Sequence, residues 1–340
     1  MIRSKPAPWQ IAANPLNRGA TLAALLVSLA LPAAAQAPGW KPDQQVEIVV
    51  GASPGGGNDI TARNIQKALQ ENRLIESVQV TNKPGGNHMV AMGYLNQHAG
   101  DGRFVQVINE PLLTNKILGI SQQDHNDFTP LALLFDEYVL FVTKSDSHLA
   151  DGRNLIARMR KDPGAVVFGF AAARGNIAHL GIGMLAKAVG VPIPAMKIVV
   201  FDSGSAAVTA ALGGHVDVTA TVPASARQLI AAARLRGIAV TANRRLGGAF
   251  AQVPTWKELG ADAYYSSWRC LIGPKGMSRA QISFWEDTVA RMSRTDEWKR
   301  ALDADVQESH YMSSDELRRF LDAQSGELKS TLINLGIARP

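Results

Sequence analysis

The sequence predicts an α/β protein of two lobes, each a mixed, mostly parallel sheet flanked by helices, with a ligand cleft between them. Three observations lead there. Short β-branched runs alternate with helical patterns through most of the chain, which is the signature of βαβ units and parallel sheets. The turns after those runs are rich in Gly, Asn, Ser and Pro. At 340 residues, 46% of them hydrophobic, there is apolar material for more than one core.

Residues 1–35 stand apart. Arg3, Lys5 and Arg18 occur with no acidic residue, then TLAALLVSLALP (Thr21 to Pro32), then Ala33, Ala34 and Ala35. A basic stretch, a short apolar stretch and small residues in that order read as a secretory signal peptide cleaved near Ala35. The apolar run is shorter than the ~20 residues a membrane-spanning helix needs. The formal charge of +6 (35 Lys and Arg against 29 Asp and Glu) drops to +3 once the three basic residues of this leader are subtracted. The remaining basic residues are scattered, RMRK (Arg158 to Lys161) being the densest run, and aromatics are 6%. No nucleic-acid partner is expected from that pattern.

After the leader, strands are expected at Val46 to Val50, Val78 to Thr81, Phe104 to Asn109, Tyr138 to Thr143, Val166 to Phe170, Lys197 to Phe201, Val216 to Val222 and Gly237 to Thr241. Helices are expected between them, as at Thr61 to Gln70, Asn176 to Val189 and Ser205 to Leu212. After Ser278 come three helical patterns, Arg279 to Ser293, Asp296 to Asp303 and Ser313 to Leu335, with no strand signal between them. Strand-like crossings near Tyr138 to Thr143 and Ser266 to Ile272 would join the lobes. Lobe 1 is then expected to comprise 36–142 plus 264–340, and lobe 2 to comprise 143–263. The single cysteine, Cys270, lies in the alternating stretch SSWRCLIG and is expected to be a buried structural thiol.

Ligands of open α/β sheets bind beyond the carboxyl ends of the strands, where helix N-termini present free N–H groups. Five loops fall there: SPGGGND (Ser53 to Asp59), NKPGGNH (Asn82 to His88), NEPLLTN (Asn109 to Asn115), AAARGN (Ala171 to Asn176) and DSGSA (Asp202 to Ala206). Each alone is an ordinary helix cap or turn. Five together point to one shared cleft for a small anion. SPGGGND lacks the GK[ST] of a P-loop and the third glycine of a dinucleotide fingerprint, so no nucleotide cofactor is expected. Arg174, beside Gly175 at a helix start, is a candidate bidentate partner for a carboxylate. The seven histidines show no metal-ligand spacing, and no metal is expected. DSGSA lacks the nucleophile elbow GxSxG; a hydrolase or transferase using Ser203 or Ser205 with His179 or His215 is the rival to a binding protein, and a sensor domain of the same fold is a third possibility.

The segments SPGGGNDITAR, NKPGG, AGDGR (Ala99 to Arg103), NDFTPLALL (Asn126 to Leu134), GGHVDV (Gly213 to Val218), VPTWKELG (Val253 to Gly260) and GPKG (Gly273 to Gly276) resemble, in order, the Bug-type extracytoplasmic solute-binding receptors of tripartite tricarboxylate transporters. The resemblance implies a periplasmic, monomeric, non-enzymatic binding protein of type 2-like two-lobed fold, without a cofactor. It would close on a small organic carboxylate, whether a di- or tricarboxylate or an aromatic acid, and deliver it to the membrane components of the transporter. Carried over, Ser53, Gly55, Gly56, Gly57, Asn58 and Asp59 line one wall, with Asn87 and His88 beside them. Ala173, Arg174, Gly175, Asn176 and His179 face them from the other lobe, with Ser203, Gly204, Ser205 and Asp217. Asn87 and His88 depart from the small residues usual in the family. Asp59 and Asp217 would repel an anion unless they bond to amines or backbone N–H groups.

Overall fold

A computed structural model describes residues 39–171 and 174–339. The leader and its cleavage site, like Ala173, lie outside the described residues. In chain order the elements are β1 (Val46–Val50), α1 (Gly57–Glu71), β2 (Val78–Asn82), α2 (Met89–Asn96), β3 (Phe104–Ile108), α3 (Pro111–Ile117) and β4 (Phe128–Tyr138). Then follow β5 (Leu140–Lys144), α4 (Gly152–Lys161), β6 (Val167–Ala171), α5 (Ile177–Val189), β7 (Lys197–Phe201), α6 (Gly204–Leu212), β8 (Val218–Thr221), α7 (Pro223–Ala231) and β9 (Leu235–Val240). The chain ends with β10 (Ser266–Pro274), α8 (Arg279–Met292), α9 (Asp296–Asp305), β11 (Glu308–Met312) and α10 (Ser314–Asn334). All belong to one compact unit, Trp40–Pro340.

The strands form two sheets, ordered β11-β4-β10-β3-β1-β2 and β7-β6-β8-β5-β9. The βα units supply the parallel part of each: β1 lies between β2 and β3, and β6 between β7 and β8. Antiparallel strands complete them, β10 between β3 and β4, β11 outside β4, and β5 between β8 and β9. The first sheet thus carries more antiparallel pairing than a run of βα units implies. Its core gathers Ile48, Val50, Ile65, Leu69, Val107 and Trp285; that of the second gathers Phe141, Phe168, Phe170, Ile182 and Trp256.

Two strands escape the alternating pattern. β4 is apolar almost throughout because both its faces are buried, so it shows no period of two. Pro130 inside it further disguises a strand, and the register shift between Leu271 and Ile272 of β10 falls where Ile272 meets Pro130. β11 corrects the expectation of three helices without an intervening strand. ESHYM is a largely polar edge strand paired on one side only, and such a strand carries no apolar periodicity.

The first crossing between the sheets is the single residue Val139, between β4 and β5. The second enters β10 at Tyr265, and Thr241 joins the two. Its hydroxyl accepts from the Val139 N–H (2.9 Å) and donates to the Tyr265 carbonyl (2.6 Å). Its backbone N–H donates to the Val139 carbonyl (3.0 Å), while its own carbonyl accepts from the Tyr265 N–H (3.1 Å).

Candidate functional site

The SPGGGND turn places α1 at the boundary between the sheets. Gly55 takes φ +80°, a left-handed conformation that favours glycine, and a side chain at Gly57 would collide with Val222 at 2.9 Å and press on the Arg269 guanidinium at 3.4 Å. Asp59 is buried and fully engaged: Gly55 N–H (2.9 Å), Arg63 Nε (2.9 Å) and Asn82 Nδ2 (2.9 Å) all donate to it. These donors hold its carboxyl below the usual range against the opposing effect of burial, the largest single influence on it. Asp59 therefore shapes the turn and does not face the cleft.

From the second sheet, DSGSA meets this turn. The Ser205 hydroxyl donates to the Pro54 carbonyl (3.4 Å) and bonds Ser203 Oγ (2.9 Å), and Ser203 caps α6 by accepting from the Ala206 N–H (3.1 Å). Asn176 caps α5 by accepting from the His179 N–H (3.0 Å). α1 and α7 start without a side-chain cap, behind Gly56 and Val222. A cavity of about 60 Å³ lies between these four helix starts. Gly56, Gly57, Asn58, His88, Asn109 and Arg269 line it from the first sheet; Asn176, Ser203, Gly204, Thr221, Val222 and Ser225 are among those lining it from the second.

Two charged residues line the cavity, Asp202 and Arg269, and Arg269 is 2% exposed. It lies on β10 diagonal to Glu137 of β4, at a register shift between Arg269 and Cys270; such bulges re-aim a side chain. One Nη atom bonds Glu137, itself buried, and the other bonds Asn58 Oδ1. Burial lowers its pKa to about 10, so it is cationic at neutral pH. Asn58 Nδ2 donates onward to Asn109 Oδ1 (3.3 Å) and meets His88 Nε2 (3.3 Å). Asn109 donates to Glu110 (2.8 Å), which also accepts from the Tyr265 hydroxyl (3.0 Å). A continuous polar chain therefore links the cleft to the second crossing. Burial pushes the Glu110 carboxyl up and the Cys270 thiol up, as suits a buried structural cysteine.

His88 follows three residues that, like it, have positive φ: Gly85, Gly86 and Asn87. Its ring is buried, and burial followed by the charge of Arg269 lowers its pKa to about 4. Asn87 does not line the cleft; its side-chain Nδ2 donates to Asn115 Oδ1 (2.7 Å), and its backbone carbonyl accepts from Asn115 Nδ2 (2.9 Å).

The other expected residues fall elsewhere. Arg174 is exposed and lines a separate cavity of about 300 Å³ with His179, Ile193, Met196 and Ile337. Gly175 packs toward Thr114 and Leu118, and its N–H donates to His179 Nδ1 (3.0 Å). His179 stacks on Phe170, 5.0 Å between centroids, and burial followed by Arg174 lowers its pKa to about 4. Asp217 accepts from the Val167 N–H (2.8 Å), a strand contact outside the cleft. Ser53 and Gly55 belong to the turn behind the cleft wall. The hydroxyls of Ser203 and Ser205 bond each other and the backbone, and His179 is bonded within its own loop, so no serine–histidine pair forms among their hydrogen bonds; His215 is exposed.

The sequence does not single out Arg269, Glu137, Thr221 or Ser225, whereas Asn109 opens the expected loop NEPLLTN and lines the cavity. The signal for the first two was a charge inside an apolar strand, in SSWRCLIG and FTPLALLFDEY. A buried strand tolerates a charge only when it is paired.

A family profile described as "Tripartite tricarboxylate transporter family receptor" matches residues 61–337. The chain belongs to this receptor family. Its relatives include the UPF0065 protein in the gbd 5' region of Cupriavidus necator, 27% identical over 329 residues, 94% of this chain and 96% of the relative. Another is BugT of Bordetella pertussis, 27% identical over 240 residues, 69% of this chain and 72% of the relative. The fold of the receptor matches that of the periplasmic binding protein BugD (TM-score 0.80, 19% identity, 88% of this chain and 99% of that one). It also matches MatC of Rhodopseudomonas palustris with bound malate (TM-score 0.75, 18% identity, 86% and 100%), and a second R. palustris protein with adipate (TM-score 0.79, 24% identity, 87% and 99%). In this receptor two mixed sheets form the two-lobed scaffold those structures share, and the cleft lies where the sheets meet.

Proposed function

We propose that this receptor is an exported, monomeric, non-enzymatic protein that traps a small organic carboxylate between its lobes and delivers it to the membrane components of a tripartite tricarboxylate transporter. The observation that carries this is the convergence of four helix N-termini on one cavity with a buried arginine in its wall. Each helix start attracts an anion by roughly 0.3–1 kcal/mol, and a guanidinium adds a charge-assisted hydrogen bond. Support also comes from the family and from the malate and adipate in structures of the same fold.

In this account Gly56, Gly57, Asn58, His88, Asn176, Ser203 and Gly204 contact the ligand together with Arg269. Ser53, Gly55, Asp59 and Ser205 hold the turns that present them. Lobe 1 comprises 36–142 plus 264–340 and lobe 2 comprises 143–263. The crossings at Val139 and Tyr265 act as the hinge, and a ligand touching both walls favours the closed state. Export through cleavage near Ala35 places the receptor in the periplasm. Among the described residues no helix is long and apolar enough to cross a membrane.

The test is mass spectrometry of small molecules released by denaturing the purified receptor, followed by calorimetry with whatever acid is found. A carboxylate that rebinds at one site per chain is expected. Release and rebinding of a nucleotide or a neutral sugar instead would overturn the proposal.

A further inference from the structure

We propose that Arg227 and Asp305 form a latch between the lobes that holds the cleft closed, so that they govern ligand release without touching the ligand. This rests on the reading of the cleft as a site that closes on a ligand, and adds what keeps it shut.

The helices α7 and α9 meet across the boundary between the sheets. α7 packs on the second sheet, with Ala226 among Leu140, Val142, Leu235 and Val240. Only Pro223 and Ala226 of its nine residues are buried, so its own lobe covers little of it. α9 packs on the first sheet through Trp298 and Leu302, and it is tied to α1 by Lys67 Nζ, 2.5 Å from Glu297 Oε1. Both sides of this contact reach the cavity: α7 starts at its wall directly after Val222, and α1 starts there at Gly57. Drawing α9 away from α7 therefore opens the cavity.

Asp305 is the last residue of α9 and is 2% exposed. A carboxylate there is opposed by burial and by the negative end of the helix dipole. Arg227 Nη1 lies 3.0 Å from its Oδ1, the one ion pair Asp305 makes among the described residues. The next residue, Val306, takes φ +53°, which a β-branched residue adopts only under constraint, and its side chain packs into the second sheet's cluster beside Gly247. The end of α9 thus inserts into the other lobe. One further ion pair joins the lobes among the described residues, Arg244–Glu308 at 3.1 Å; both its side chains are exposed, and it contributes little. The buried pair differs, because once Arg227 is removed the Asp305 carboxylate regains hydration only when α9 leaves α7.

The experiment measures the distance between the lobes of the ligand-free receptor by pulsed electron double resonance, with spin labels on cysteines introduced at the exposed Glu71 of α1 and Lys187 of α5. Cys270 is buried and stays unlabelled. The parent is expected to give one short distance, and Arg227→Met to shift about half of its population or more to a longer one. Arg227→Met/Asp305→Leu, which strands no charge, is expected to return to the parental distance. Asp305→Asn serves where Arg227→Met does not fold by circular dichroism, and is expected to lengthen the distance in the same direction. A parental distribution in the folded single variants would overturn the latch, and so would a double variant as open as Arg227→Met. Displacement of succinate, followed by stopped flow, is expected to be faster from Arg227→Met than from the parent by about tenfold or more; equal rates would overturn the part of the latch in release. Failure of succinate to bind any form, with the distances as expected, would count against carboxylate capture while supporting the latch.

Discussion

Two arginine–histidine pairs lie near the cleft, and they do different work. Arg269 and His88 belong to the first sheet's side; Arg174 belongs to the loop before α5 and His179 to the first turn of that helix. Both histidines are buried with pKa values lowered to about 4, and in each case burial is the main cause and the neighbouring arginine the second. The arginines differ. Arg269 is 2% exposed, bonded to Glu137 and Asn58, and lines the cavity between four helix starts. Arg174 is exposed and lines another cavity. A cation in water is worth little to a ligand, whereas one already desolvated and held in place binds without a further solvation cost. Proximity to a glycine-rich loop is therefore less informative than burial.

The largest effect that sharpens this contrast is on stability. Arg269→Ala leaves the Glu137 carboxylate buried without its partner and is expected to destabilise the fold by about 3–5 kcal/mol, measured by urea unfolding. Arg174→Ala is expected to stay within about 0.5 kcal/mol of the parent. Equal costs for the two would break the comparison.

Next comes acid. Each histidine binds its proton near the ordinary 6.5 when unfolded and near 4 when folded, so the unfolded state holds more protons between those values. The stability from keeping the ring neutral is complete above pH 6.5 and is lost as pH falls toward 4, up to about 3 kcal/mol per histidine. His88→Asn, which tolerates the left-handed φ of that position, is expected to flatten the acid limb of a stability-against-pH curve by that amount. A limb that superimposes on the parent's would show that His88 is not held neutral by the fold.

A smaller effect is expected at Thr241, which joins the crossings on which both pairs depend. Thr241→Val removes the acceptor of the Val139 N–H and the donor to the Tyr265 carbonyl. It should cost about 1–3 kcal/mol, read as a lower unfolding midpoint. No change in midpoint would mean that the crossings are held without it.

Much of the fold was legible because βα units announce themselves. VEIVV followed by a glycine turn and Thr61, Ile65 and Leu69 on one face leaves little choice of structure, and the turns at Gly57, Asn176 and Ser203 do open helices at the cleft. β4 and β11 were hidden for opposite reasons, the one buried on both faces and the other on an exposed edge. The cavity lining was legible where local turns and helix starts form it, as at Gly57, Asn58, His88, Asn176 and Ser203. Arg269 stands in the strand SSWRCLIG as a lone charge, and the sequence does not name its partner because Glu137 is 132 residues away in the chain. Arg174 drew notice through its neighbours Gly175 and Asn176, yet those residues turn the chain and cap α5 while the guanidinium points elsewhere.

The most direct test of this division is calorimetric titration of one dicarboxylate, succinate, into the parent receptor, Arg174→Ala and Arg269→Met/Glu137→Leu. The parent and Arg174→Ala are expected to agree within about twofold, and the double variant, still folded, to bind at least about thirtyfold more weakly, a loss of about 2 kcal/mol consistent with one charge-assisted hydrogen bond. Loss of binding in Arg174→Ala with affinity retained in the double variant would contradict the account.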